Sequence, residues 1–181
     1  MRLFIGIALP DNICEKIGAD ADKLKKVIPG RYVVEENYHI TLVFIGETDQ
    51  NGANTIKRAM NAAVIGQAPV DLSIGCPGYF KKPENAILHM KVEGWKQLLG
   101  LDKRLRSALR EAGLSFDEKP FNAHITLARK ARINLGELNN FPEQNYKSRV
   151  NEITLFHSTR VNGVLTYLPI YRAGFHDNGN D

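Results

Sequence analysis

Two histidines, His39 and His124, each head the same tetrapeptide, His-Ile-Thr-Leu. Imidazole has a reference pKa of about 6.5, so one ring can hold a proton near neutrality while the other is free to take one. Side chains alternate along an extended chain, so His39 and Thr41 share one face while Ile40 and Leu42 share the other. The same holds for His124 and Thr126 against Ile125 and Leu127. Each copy therefore anchors an apolar face in a core and presents an imidazole and a hydroxyl on the opposite side. Two such strands across a cleft suit in-line displacement at phosphorus. One imidazole takes a proton from water, the other gives one to the leaving oxygen, and each threonine donates to a non-bridging oxygen. A cyclic phosphate needs little more, because ring strain already favours opening. No cofactor and no metal is expected, since no His/Asp/Glu cluster has ligand spacing.

A single His-x-Thr is common on structural strands. Two copies at an offset of 85 residues, nearly half of the 181-residue chain, carry more weight. Each lies in a strand-like run that follows a helix and a turn, as a duplication into two similar lobes would leave them. His89, His157 and His176 have no matching partner and read as structural or surface residues.

The elements that must hold these motifs are legible in outline. Residues 2–9 form an apolar run suited to a buried strand. Asp11 is placed to cap the helix that follows, with Ile13, Ile17, Leu24 and Val27 on its apolar side and Pro29-Gly30 as its stop. Residues 31–34 and 38–45 are β-branched and aromatic and read as strands. A helix over 51–65 carries Ile56, Met60, Ala63 and Val64. Residues 70–80 and 86–92 read as paired strands. The spacing of Trp95, Leu98, Leu99, Leu105, Leu109 and Ala112 predicts a helix over 95–112, with Lys96, Lys103, Arg104, Arg106 and Arg110 on its wet face. That basic face can meet RNA or simply be solvated. Strands at 121–129, 148–157 and 164–172 complete the chain, with a polar loop around Pro142. Paired strands between alternating helices argue for α+β with largely antiparallel sheets.

Bulk properties set wide bounds. The length fits one domain or two small intertwined lobes, and no Gly/Ser-rich linker divides it. Lys and Arg exceed Asp and Glu by 24 to 20, a net charge of +4 that permits a phosphate-bearing partner without requiring one. Cys14 and Cys76 lack CxxC spacing and read as reduced residues of a cytoplasmic protein. The start superficially resembles a signal peptide, but its apolar run stops at Pro10-Asp11 and a buried strand accounts for it better. No stretch approaches the roughly 20 apolar residues of a membrane span. Disorder is expected only at the polar end, His176 to Asp181.

At the motif residues the chain resembles the 2H phosphoesterase superfamily, and within it the RNA 2′,3′-cyclic phosphodiesterases, also called 2′-5′ RNA ligases. The first motif runs from His39 through Phe44, Gly46 and Glu47. The second runs from Pro120 and Phe121 through His124 and Leu127 to Arg129. The opening Arg2-Leu3-Phe4-Ile5-Gly6-Ile7-Ala8-Leu9-Pro10 fits as well, as does a closing run with Ser158, Gly163, Tyr167 and Leu168. The resemblance spans nearly the whole chain. It implies one 1–181 domain of two intertwined lobes, pseudo-two-fold and bilobal, with two largely antiparallel sheets flanked by helices around a central cleft. It also implies hydrolysis of 2′,3′-cyclic phosphate ends on RNA or nucleotides to 2′-phosphomonoesters, with weak 2′-5′ joining of RNA ends. By analogy His124 acts as base and His39 as acid, although identical motifs leave that direction open.

Arg129 is the next substrate-binding candidate, a fork of donors for phosphate. In an unbroken strand its odd offset from His124 points it away, so it needs a bulge or a reach round the strand end. Phe44 is able to stack on a base, but it has the same parity problem and reads first as a core aromatic. Tyr38, Phe121 and Lys130 are weaker candidates. Two competing readings remain: a non-catalytic RNA- or nucleotide-binding module, and a phosphodiesterase for another small cyclic phosphate such as an ADP-ribose cyclic phosphate. Neither a membrane nor an obligate protein partner is expected.

Overall fold

A computed structural model describes residues 1–176; of the polar end expected to be disordered, 177–181 lie outside the described residues. Strand β1 (Arg2–Ala8) leads into helix α1 (Asp11–Lys25), followed by the short β2 (Arg31–Tyr32), a 3₁₀ turn at Glu35–Asn37 and β3 (His39–Glu47). Helix α2 (Gln50–Val64) precedes the long pair β4 (Val70–Lys81) and β5 (Ala86–Glu93). A 3₁₀ turn at Trp95–Leu98 opens α3 (Leu99–Glu111), and β6 (His124–Ala131), α4 (Leu135–Asn139), β7 (Tyr146–Val150), β8 (Glu152–Val161) and β9 (Val164–Gly174) complete the order.

The α+β reading holds. All strand pairs of the nine-stranded sheet are antiparallel, in the order β7-β4-β5-β6-β3-β1-β8-β9, with β2 beside β6. Apart from β2, the sheet divides into two halves of four strands that meet where β3 pairs β6 through one residue pair, Ile40 with Ile125. The halves repeat each other in sequence. Moving 2–8 forward by the 85-residue offset gives 87–93, inside β5, and moving α1 forward gives the 3₁₀ turn and most of α3.

The buried faces follow the expected periodicities. Ile5 and Ile7, Ile40 and Leu42, Leu88 and Met90, and Ile125 and Leu127 are buried on four central strands. They join one cluster with Ile13, Ile17 and Leu24 of α1, Ile56 and Met60 of α2, and Leu101, Leu105 and Leu109 of α3. Burying each such aliphatic side chain contributes about 1.5–3 kcal/mol. Asp49 caps α2 by accepting from the Gly52 amide at 2.7 Å. The β8–β9 hairpin turns on Asn162 and Gly163, with φ of 50° and 81°, the paired left-handed conformation that two-residue hairpins require.

Several expectations need correction. Pro10 occupies the N-cap of α1, and Asp11 lies in the first turn without capping it. Val27 is exposed, and the neighbouring Ile28 takes the buried place. In α3 Leu101 joins the buried residues, whereas Leu99 and the C-cap Ala112 are exposed. Residues 33–34 fall outside β2, and 121–123 fall outside β6. The run 148–157 spans parts of two strands, which part at Asn151. The polar loop contains the short α4, capped by Asn134.

The basic face of α3 changes most. Arg106 is buried, held by Asp102 at 2.8 Å and by the carbonyls of Leu42 and Asp117 at 3.2 and 3.1 Å. Arg104 donates to the Ala63 carbonyl and Gln67, and Arg110 to Glu118. Three of the five cations are thus engaged within the protein. Cys14 and Cys76 are both free thiols. Among the described residues, no helix is long and apolar enough to cross a membrane.

Candidate active site

Both motifs begin where their strands begin, at His39 and His124. The single antiparallel pair Ile40–Ile125 holds the two strand starts together, so the two histidines lie diagonally on either side of it, each level with the threonine of the other copy. His39, Thr41, His124, Thr126 and Arg129 all line one cavity of about 400 Å³. Arg2, Phe4, Phe44 and Tyr167 complete much of its wall.

The orientation of each imidazole follows from the chain just before it. His39 Nδ1 lies 2.7 Å from the Asn37 carbonyl, and His124 Nδ1 lies 2.8 Å from the Asn122 carbonyl. A carbonyl can only accept, so Nδ1 carries the proton in both rings and leaves Nε2 as the basic nitrogen. Thr41 Oγ1 sits 2.9 Å from His39 Nε2 and donates to it. Asn37 is itself clamped, its amide donating to the Leu165 carbonyl at 2.7 Å and accepting from the Tyr167 amide at 3.0 Å.

Aromatic corners fix the rings. His39 packs against Phe4 at 4.8 Å and Tyr167 at 5.1 Å between ring centres. His124 packs against Phe80 at 4.9 Å and His89 at 5.5 Å. His89 lies 85 residues after Phe4, so it takes in one half the place of Phe4 in the other. At Gly6 a Cβ would stand 2.6 Å from the Ile40 carbonyl oxygen, so glycine lets β1 lie this close beside the His39 strand.

Burial sets the charge of the site. It pushes the His39 imidazole down to about 4, against the lift from the Asn37 carbonyl and with help from His124 and Arg129. His124 is lowered too, first by burial and then by Arg129, against the Asn122 carbonyl. Both shifts favour the neutral imidazole at neutral pH. His89 is also buried and is likewise pushed down to about 4.

Arg129 reaches the cavity through a bulge. Along β6, Thr126 pairs with His89 but Ala128 pairs with Leu88, leaving Leu127 as an extra residue. Leu127 and Ala128 are both fully buried, and strand parity reverses beyond them. Arg129 thereby regains the face of His124 and Thr126. β3 does the same: Thr41 pairs with Gly6, Val43 with Ile5, and Leu42 is the extra residue. Phe44 therefore lines the cavity, correcting its reading as a core aromatic. Each bulge leaves a carbonyl outside the ladder, and each carbonyl finds a donor. Arg106 Nη2 donates to Leu42 O at 3.2 Å, and the Val33 amide donates to Leu127 O at 2.8 Å.

Of the weaker candidates, Tyr38 and Phe121 are buried, and Lys130 is exposed with φ of 52°. His157 is partly exposed, and His176 is exposed, pairing with Ile65. Among the described residues no group of three or more His, Cys, Asp or Glu side chains is placed to hold a metal ion.

The 2′-5′ RNA ligase superfamily, as a family, matches this chain over residues 10–161. The chain belongs to that superfamily. A relative from Thermotoga maritima named RNA 2′,3′-cyclic phosphodiesterase is 34% identical over 131 residues, 71% of this chain and 70% of its own. A relative of the same name from Escherichia coli is 30% identical over 173 residues, 94% of each chain. The solved structure of Escherichia coli LigT complexed with 3′-AMP superposes with a TM-score of 0.79 at 29% identity, covering 96% of this chain and 97% of that one. Superfamily membership fits the pairing of the two motifs across one cavity.

Proposed function

We propose that this chain is an RNA 2′,3′-cyclic phosphodiesterase, converting cyclic phosphate ends to 2′-phosphomonoesters. One observation carries the reading: two identical His-x-Thr strand starts, joined by the Ile40–Ile125 pair, line a single cavity with Arg129. The names of the Thermotoga maritima and Escherichia coli relatives support the substrate class.

The cyclic phosphate sits between the two Nε2 atoms. The Thr126 hydroxyl donates to a non-bridging oxygen, the Thr41 hydroxyl does so once a protonated His39 Nε2 no longer accepts from it, and the Arg129 guanidinium faces the same oxygens as charge builds. His124 takes a proton from water as the water oxygen bonds to phosphorus. His39, protonated at Nε2 as the phosphate binds, gives that proton to the 3′-oxygen as the P–O3′ bond breaks, leaving a 2′-phosphate and a 3′-hydroxyl. Exchange with solvent then resets the two rings. The direction rests on asymmetry. Phe4, Phe44 and Tyr167 gather on the His39 side, which suits the nucleoside and its departing oxygen. Replacing water by the 5′-hydroxyl of another RNA end gives a 2′-5′ linkage by the same displacement.

The test is release of phosphomonoester from a 2′,3′-cyclic nucleotide in excess chelator. The wild-type chain should turn over under these conditions. His39→Ala and His124→Ala should each lose at least about 10²-fold in kcat, the usual share of a positioned acid or base. Undiminished turnover in either variant sinks the mechanism.

A further inference from the structure

The cleft does not end at the two histidines. A second cavity of about 360 Å³ opens from it, shares Thr41, Phe44, His124 and Arg129 with it, and continues to Phe80 and Lys119. Its volume lies at the lower end for small-molecule sites and suits one nucleotide better than a longer stretch.

The chemistry of this branch is that of a single-stranded nucleic-acid track, an aromatic platform beside cations that follow a backbone. Phe80 is anchored at the back of the branch by stacking on His89 at 4.2 Å between ring centres. Arg129 stands at the junction of the two cavities. The Lys119 side chain is 84% exposed and bonds Asp117 at 3.0 Å. So exposed an ion pair holds its partners weakly, and the ammonium can turn to a phosphodiester at little cost. Arg106 also borders the branch but is spoken for by Asp102 and two carbonyls.

We infer that this branch binds the nucleotide preceding the cyclic end of an RNA, its base against Phe80 and its phosphodiester between Arg129 and Lys119. The enzyme then selects RNA ends over cyclic mononucleotides. The inference rests on the proposed phosphodiesterase reading and adds a substrate preference to it.

Steady-state rates on a 2′,3′-cyclic mononucleotide and on a dinucleotide with the same cyclic end separate the two. The dinucleotide should show a kcat/KM higher by about tenfold or more, consistent with one stacked base and one added phosphate contact. Lys119→Ala should remove most of that advantage while leaving the mononucleotide rate unchanged. It should also lower the salt dependence for the dinucleotide by about 0.7 in log–log slope, the share of one single-strand phosphate. Equal kcat/KM for both substrates in the wild type overturns the inference and leaves the phosphodiesterase reading standing. A Lys119→Ala variant that slows both substrates alike also overturns it. Hydrolysis of neither substrate overturns both readings.

Discussion

Phe44 and Arg129 occupy one position in two copies: each lies five residues beyond its histidine, past a one-residue bulge, on the wall of the same cavity. The backbone treats the copies alike, and the side chains do not. One half offers an aromatic ring, with the Arg2 guanidinium 5.1 Å from its centre; the other offers a guanidinium of its own. A site with near two-fold backbone symmetry thus presents unlike side chains on its two sides.

Exchanging these side chains tests that division. Arg129→Ala should cost about 1.5–3 kcal/mol of binding to the phosphoryl group in the transition state, the range for a hydrogen bond to a charged group. Kinetically this is about a 10- to 150-fold loss in kcat/KM for every cyclic nucleotide, whatever its base. Phe44→Ala should act mainly through KM and vary with the base, since stacking is worth about 1–3 kcal/mol and depends on the base. A base-independent loss in kcat alone for Phe44→Ala would contradict the assignment.

Asn37→Ala should destabilise the fold. The substitution strips the Leu165 carbonyl and the Tyr167 amide of their partner; both bonds are part-buried, so water replaces them incompletely and the loss is about 1 kcal/mol, the net worth of an ordinary hydrogen bond. Chemical denaturation should show a lower midpoint with an unchanged slope. The His124 side has no matching clamp among the described hydrogen bonds, so Asn122→Ala should be nearly silent.

Anion binding should take up protons. The free His39 ring is held down to about 4 mainly by burial, and a phosphate oxygen beside Nε2 favours its cation. Between that free value and the raised value of the complex, binding brings a proton with it. Affinity for sulfate, an oxyanion whose own charge is fixed over this range, should therefore fall as pH rises through the complex's value. Calorimetry in buffers of different ionisation enthalpy measures the uptake directly. No net uptake at pH 6 would count against paired neutral imidazoles in the free cleft.

His89 should make the fold acid-sensitive. Its folded value of about 4 lies below the reference value of 6.5 for histidine, so between them the unfolded chain binds more protons. Stability conferred by the neutral ring is present above the unfolded value and lost as pH falls toward the folded one. At about pH 5 this one group costs about 2 kcal/mol relative to about pH 7.5. His89→Phe, which installs the residue type found at Phe4, should shrink that acid loss. It also removes the buried Nδ1 that has no hydrogen-bond partner. Parallel melting curves at the two pH values measure the difference.

The sequence carried the four motif residues and most helices and strands because both rest on local periodicity. It did not carry the parity of Arg129 and Phe44, because a bulge is a property of two strands and their register. A trace was present: Leu42-Val43 and Leu127-Ala128 are apolar doublets at matching places, and both members of each are buried. The burial of Arg106 was hidden for a related reason. Its anchor, the Leu42 carbonyl, is 64 residues away and is left over by one of those bulges. Lys119 carries no sequence signal, because it lies in a loop outside both motifs and gains meaning only from the cavity it borders.

The Ile40–Ile125 pair has a consequence for the order of events in folding. It closes a loop of 85 residues between the two motifs, and loop entropy must be paid before so distant a contact repays it. The β4–β5 and β8–β9 hairpins carry local pairings that can form early. The cavity is expected among the last features to form, so a chain emerging from the ribosome offers RNA no paired histidines until β6 has joined β3.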